Sequence, residues 1–100
     1  MQLLEELIAH GQHVVVVDDD SVVVEQLCRQ GVEAVCGEGA DYAVLRVVGV
    51  RRARVIISTM RRVQDSERVI LFSRGRKVIV RVFAQEEAAR VEAVGGVPVL

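Results

Sequence analysis

Three consecutive acids, Asp18-Asp19-Asp20, follow an unbroken apolar run, Val14-Val15-Val16-Val17. A carboxylate at the end of a buried strand is well placed to accept hydrogen bonds from sugar hydroxyls. In dinucleotide folds an acid at the end of the second strand does this for the ribose, about 20 residues after a glycine-rich turn. Asp20 also precedes a helical stretch, so a solvated strand end with a helix cap is the plain alternative. Arg61 and Arg62 follow a second apolar run that ends in Ser58-Thr59. Guanidinium groups there can pair with phosphate, or they belong to a solvated loop. Arg81 sits inside a third apolar run. An unpaired buried charge is costly, so Arg81 must lie on an edge strand or reach solvent, a carboxylate or a ligand.

Other chemistry finds little footing. Cys28 and Cys36 form no C-x-x-C pair, and His10 and His13 add no zinc spacing. Both cysteines read as small core residues, with redox sensing at Cys36 as the alternative. Tyr42 is followed four positions later by Arg46, so there is no Tyr-x-x-x-Lys pair, and G-x-S-x-G is absent. The expectation is a protein that binds rather than catalyses.

These residues need a scaffold, and the chain supplies one domain, 1–100. It has 100 residues, of which 51% are hydrophobic, enough for a core and too many for disorder. With 13 basic and 14 acidic residues the net charge is -1, which disfavours polyanion binding. Aromatics are 3%, too few for base-stacking modules, so no nucleic-acid partner is expected. No apolar run reaches the roughly 18 residues of a membrane span, so no direct membrane insertion is expected. Two cysteines and no signal pattern suggest a reducing, cytoplasmic setting.

Periodicity and punctuation predict helix over 1–10, closed by Gly11, and strand over 13–17. A helix capped by Asp20 runs over 21–30 to Gly31, and a strand spans 32–36. Gly37-Glu38-Gly39-Ala40 is a turn, and Asp41 caps a helix ending at Gly49. Strand 54–58, loop 59–64, helix 65–74, strand 77–82, helix 85–94 and strand 97–100 complete the chain. Short connections between alternating helices and strands predict an α/β Rossmann-like three-layer fold, a parallel sheet with helices on both faces. Counting about 20 residues back from Asp18 lands before Met1, so strand 1 and its glycine loop are expected to be missing from this chain.

In order along the chain, Gly11 to Asp20, Gly31 to Ala40, Leu45 to Val50, Ala53 to Thr59 and Val78 to Val82 resemble the RCK, KTN or TrkA-N domain that regulates potassium transport. The stretches 57–62 and 80–83 look most like the version attached to cation:proton antiporters. The resemblance implies binding of an adenine nucleotide, NAD(H) or ADP/ATP, at Asp18 and Asp19, Gly37 and Glu38, Ser58 and Thr59, and Arg81. Within it Asp18 matches the ribose acid, Glu38 an adenine-side acid where Asp is usual, Thr59 a pocket-lining residue, and Arg81 a residue near the nucleotide or a dimer face. Arg61 and Arg62 replace the Pro and Asp often found there. An acid at Asp18 favours a free 2'-hydroxyl, hence NAD or ADP over NADP. The implied partners are a membrane cation transporter or antiporter subunit, on the cytoplasmic face of the inner membrane, and further copies of the chain in a homo-oligomer.

Two other readings stay open: a Rossmann-like interaction module without ligand, and a degenerate response-regulator receiver, whose phosphorylated Asp is replaced here by Ser58-Thr59. The missing strand has a physical consequence. In the order 3-2-1-4-5-6 strand 1 is central. Losing about five core side chains worth roughly 1.5–3 kcal/mol each would remove most of a domain's stability. A gapped monomer is therefore not expected. Either the strands that flanked strand 1 pair directly, or another strand fills the gap. Without the phosphate cradle, the chain alone is expected to bind nucleotide weakly or not at all.

Overall fold

The structure, a computed structural model, describes residues 13–37 and 52–100. The helices predicted over 1–10 and from Asp41 to Gly49, the cap at Gly11, and Glu38, Gly39 and Ala40 of the predicted turn lie outside the described residues. Among the described residues five strands form one sheet: β1 (Val14–Asp18), β2 (Glu33–Cys36), β3 (Val55–Ser58), β4 (Lys77–Arg81) and β5 (Val97–Val99). Their order is β2-β1-β3-β4-β5, and every pairing is parallel. Among the described residues three helices connect them: α1 (Ser21–Arg29), α2 (Val63–Ser73) and α3 (Gln85–Ala93).

The valine runs explain why the sheet is two-sided. Successive strand residues point to opposite faces. On one face Val15, Val17, Ile56, Val78 and Val80 pack with Val69 and Ile70 of α2 and Val91 of α3. On the other, Val14, Val16, Val55, Ile57 and Ile79 pack with Leu27 of α1. A strand covered on both faces has no place for a polar alternation, so it reads as a continuous apolar run. The predicted α/β Rossmann-like architecture, with a parallel sheet and helices on both faces, is the one observed.

Of the two arrangements expected for these strands, direct pairing is the one observed. β1 lies against β3 with Val14 opposite Val55, Val15 opposite Ile56, Val16 opposite Ile57 and Val17 opposite Ser58. Each pair of residues is buried.

Local signals set most boundaries. Asp20, in extended conformation, accepts from the Val22 amide and starts α1 despite the β-branched Val22-Val23-Val24 block. Gly31 follows with a φ of +84°, a conformation glycine adopts without strain. α2 departs from the prediction. It starts at Val63, inside the stretch expected to be loop, because Val63 and Ser66 are one turn apart and both reach the core. Asp65 is thus not its cap but its third residue, where a carboxylate faces the positive end of the helix. Arg74, expected as its last residue, is instead a left-handed cap with φ 52°. At α3 the Glu87 carboxylate reaches back past the N-cap residue Ala84 to accept from the Phe83 amide.

Candidate nucleotide site at the sheet reversal

From β1 the chain runs outward to β2, whereas from β3 it runs the other way to β4 and β5. The reversal therefore falls between β1 and β3. In open α/β sheets, ligands bind beyond the carboxyl ends of the strands at such a point. Asp18 ends β1 and Ser58 ends β3, so the structure brings the predicted acid and the predicted Ser58-Thr59 pair to the same place.

Each of the three acids has a distinct task there. Asp18 is 8% exposed. Its Oδ1 accepts from the Asp20 amide at 2.7 Å, and its Oδ2 accepts from the Thr59 hydroxyl. The Thr59 amide also donates to the Val17 carbonyl at 2.9 Å, so Thr59 ties the end of β3 to the end of β1 twice. Asp19 accepts from the Arg61 amide at 3.3 Å and so holds the loop that follows β3. Asp20 caps α1. The plain reading of the triplet, a strand end plus a cap, holds for Asp20, while Asp18 and Asp19 bind the β3 side of the reversal.

Gly37 is buried beside them, and its amide donates to the Asp18 carbonyl at 2.9 Å. A methyl group on Gly37 would stand 2.2 Å from Val17 Cγ1 and 3.2 Å from Met60 Sδ. Glycine is required because the chain leaving β2 crosses directly over the β1 side chains. Cys36 lies next to it, its thiol 3.8 Å from the Asp19 carbonyl.

Two predicted residues point elsewhere. The Ser58 hydroxyl is fully buried and bonds to the Ser66 hydroxyl of α2 at 2.8 Å, so it serves sheet–helix packing. Arg81, at the end of β4, is exposed, with its guanidinium 5.3 Å from the Phe83 ring centre. It meets the cost of burial by reaching solvent, and it does so from a strand with neighbours on both sides. Arg61 and Arg62 are exposed as well. Glu38 lies outside the described residues. Sequence reasoning missed Met60, which is 1% exposed and packs under Gly37, and it missed Ser66. Their signal was present only as an apolar residue after a strand end and a serine one turn into a helix. Among the described residues, no group of three His, Cys, Asp or Glu side chains could hold a metal ion.

A strand order with the first strand at the reversal is shared by several doubly wound folds, flavodoxin and receiver domains included. Topology alone does not choose among them. The family model of the TrkA-N domain matches residues 1–98. The chain belongs to the TrkA-N family. The crystal structure of the TrkA-N domain of the inner membrane protein YbaL from Escherichia coli superposes with a TM-score of 0.73 at 23% identity, covering 99% of this chain and 76% of that one. The NAD(P)-binding domain of an exopolyphosphatase-related protein from Archaeoglobus fulgidus has the same fold, with a TM-score of 0.68 at 24% identity, covering 99% and 77%. The GsuK channel bound to NAD gives 0.70 at 25% identity, covering 97% of this chain and 18% of the channel chain. This chain thus spans less than a fifth of that channel subunit. A search of curated proteins found no match. Family membership sets aside the receiver reading that Asp18-Asp19-Asp20 left open.

Among residues of this TrkA-N domain, Asp18 has the chemistry and the position to hold a ribose diol. A carboxylate has about four acceptor sites, and two are taken by Asp20 and Thr59. Donors for a diphosphate would have to come from outside the described part of β1, β2 and β3, since no glycine-rich strand turn is among the described residues.

Proposed function

We propose that this TrkA-N domain is a regulatory module of a cation transport system, of the potassium or cation:proton antiport kind, and that it acts by binding an adenine nucleotide rather than by catalysis. The observation that carries the reading is the placing of Asp18, a buried acid, at the carboxyl end of β1 where the sheet reverses, in a chain of this family. The ligand is NAD(H) or ADP/ATP, with Asp18 on the ribose. The domain works from the cytoplasmic face of the inner membrane on a membrane transporter or antiporter subunit, and as a homo-oligomer. Two neighbours, one an inner membrane protein and the other an NAD-bound channel, support this setting. Among the described residues no helix is long and apolar enough to cross a membrane. Control consists of a ligand favouring one of two conformations of the domain.

Saturation-transfer NMR with NADH, NADPH and ADP at millimolar concentration tests this reading. The expected result is weak binding, with NADH and ADP preferred over NADPH and the signal lost in Asp18→Asn. Saturable binding that is indifferent to Asp18, or that favours NADPH over NADH and ADP, refutes it.

A further inference from the structure

The two donors on Asp18 are not equivalent. The Asp20 amide is two residues away in the same chain segment, part of the turn that leads into α1. The Thr59 hydroxyl comes from the other side of the reversal, 41 residues along the chain. A hydroxyl has one proton to give. The Thr59 hydroxyl also lies 3.4 Å from the Val17 carbonyl, so it has a second acceptor to turn to when Asp18 is engaged by something else. Asp18 itself is almost without solvent contact. A sugar hydroxyl arriving from beyond the strand ends therefore meets a carboxylate whose Oδ2 already holds an internal donor.

We propose that Thr59 is an internal competitor of the nucleotide: its hydroxyl bonds the same Oδ2 that a ribose hydroxyl would use, so that ligand capture is favoured when Thr59 lets go of Asp18 and turns to Val17. This rests on the nucleotide reading of the site and specifies its regulation. The competition couples occupancy to the β1–β3 seam, because Thr59 is also the residue that ties the ends of these two strands. The ligand is read by loosening one side-chain tie across the reversal while the backbone tie from the Thr59 amide persists. A two-state element biased by a ligand needs only such a difference in contacts.

The test is a titration of the chain with NADH, followed by nicotinamide fluorescence and by calorimetry, for wild type, Thr59→Val, Thr59→Ser, Asp18→Asn and the double variant Asp18→Asn/Thr59→Val. Valine keeps the shape and removes the donor. Hydrogen bonds to charged groups are worth enough that Thr59→Val should tighten NADH binding by about tenfold. Thr59→Ser, which keeps the donor, should show no such gain. Asp18→Asn and the double variant should both lose NADH binding, as the nucleotide reading requires. Wild-type binding with no tightening in Thr59→Val overturns the competition and leaves the nucleotide reading standing. Failure of every variant, Thr59→Val included, to bind NADH overturns the competition, and NADH binding unchanged in Asp18→Asn overturns both.

Discussion

The central seam and the outer edge of the sheet are built from the same residue type and behave differently. In β1 Val15, Val16 and Val17 are wholly buried, whereas in β5 Val97 and Val99 are each 42% exposed. β1 has strands on both sides, β2 and β3, and helices over both faces. β5 has only β4, is three residues long and carries Pro98, which has no amide to offer a further strand. Even so, β5 is tied in: the Val82 amide donates to the Val99 carbonyl at 2.9 Å. Valine in a strand thus has no fixed worth: the number of neighbours decides what each valine contributes to stability. The candidate site lies at the seam, where side chains are held by packing on every side, and not at the edge.

The comparison is broken most directly by removing bulk from the seam. Ile56→Ala, at the centre of β3, should lower the unfolding free energy by about 2–5 kcal/mol in urea denaturation, since the pocket it leaves is walled by residues of β1, α2 and β4. A loss no larger than that of an edge substitution would show that the seam is not the tightest part of the core. Adding bulk sharpens the contrast. Gly37→Ala should cost about 1–3 kcal/mol, because the added methyl overlaps the Val17 side chain and that side chain has no space into which to withdraw. A thermal melt unchanged by this substitution would place the chain leaving β2 farther from β1 than the structure has it. The smallest effect is expected at the edge. Val99→Thr should alter stability by no more than about 0.5 kcal/mol, being a partly exposed position on a strand with one neighbour. A large loss there would reveal that β5 is covered in solution, and sedimentation of the same variant would show whether an assembly had come apart.

Much of the fold was legible because buried parallel strands announce themselves as apolar runs and helix starts by their caps. Val14–Val17 and Val55–Ile57 could hardly be anything else, and Asp20 overrode a valine block that on propensity alone favours a strand. α2 was misplaced at its start because Asp65 looks like a cap. What moved the start to Val63 was the burial of Val63 and Ser66, a tertiary demand that no local signal carries. In the candidate site, Asp18 and Thr59 were legible as strand-end residues. Ser58, its immediate neighbour, could not be told apart from a ligand contact. Alternation turns it toward α2 and Ser66, and that depends on which face α2 covers.

The sequence by itself determined the alternation of strands and helices, the parallel sense that such alternation forces, and the placing of an acid at a strand end. Each follows from periodicity or from a side chain acting on its own backbone within a few residues. Only the tertiary structure decided that β1 and β3 pair directly, that Asp18 is met by Thr59 across that seam, and that Gly37 has room for no methyl group. These are contacts between residues some 20 to 40 positions apart in the chain. Their energy comes from close packing and from the pairing of buried polar groups, which depend on the arrangement of the whole core and are encoded in no single stretch of it.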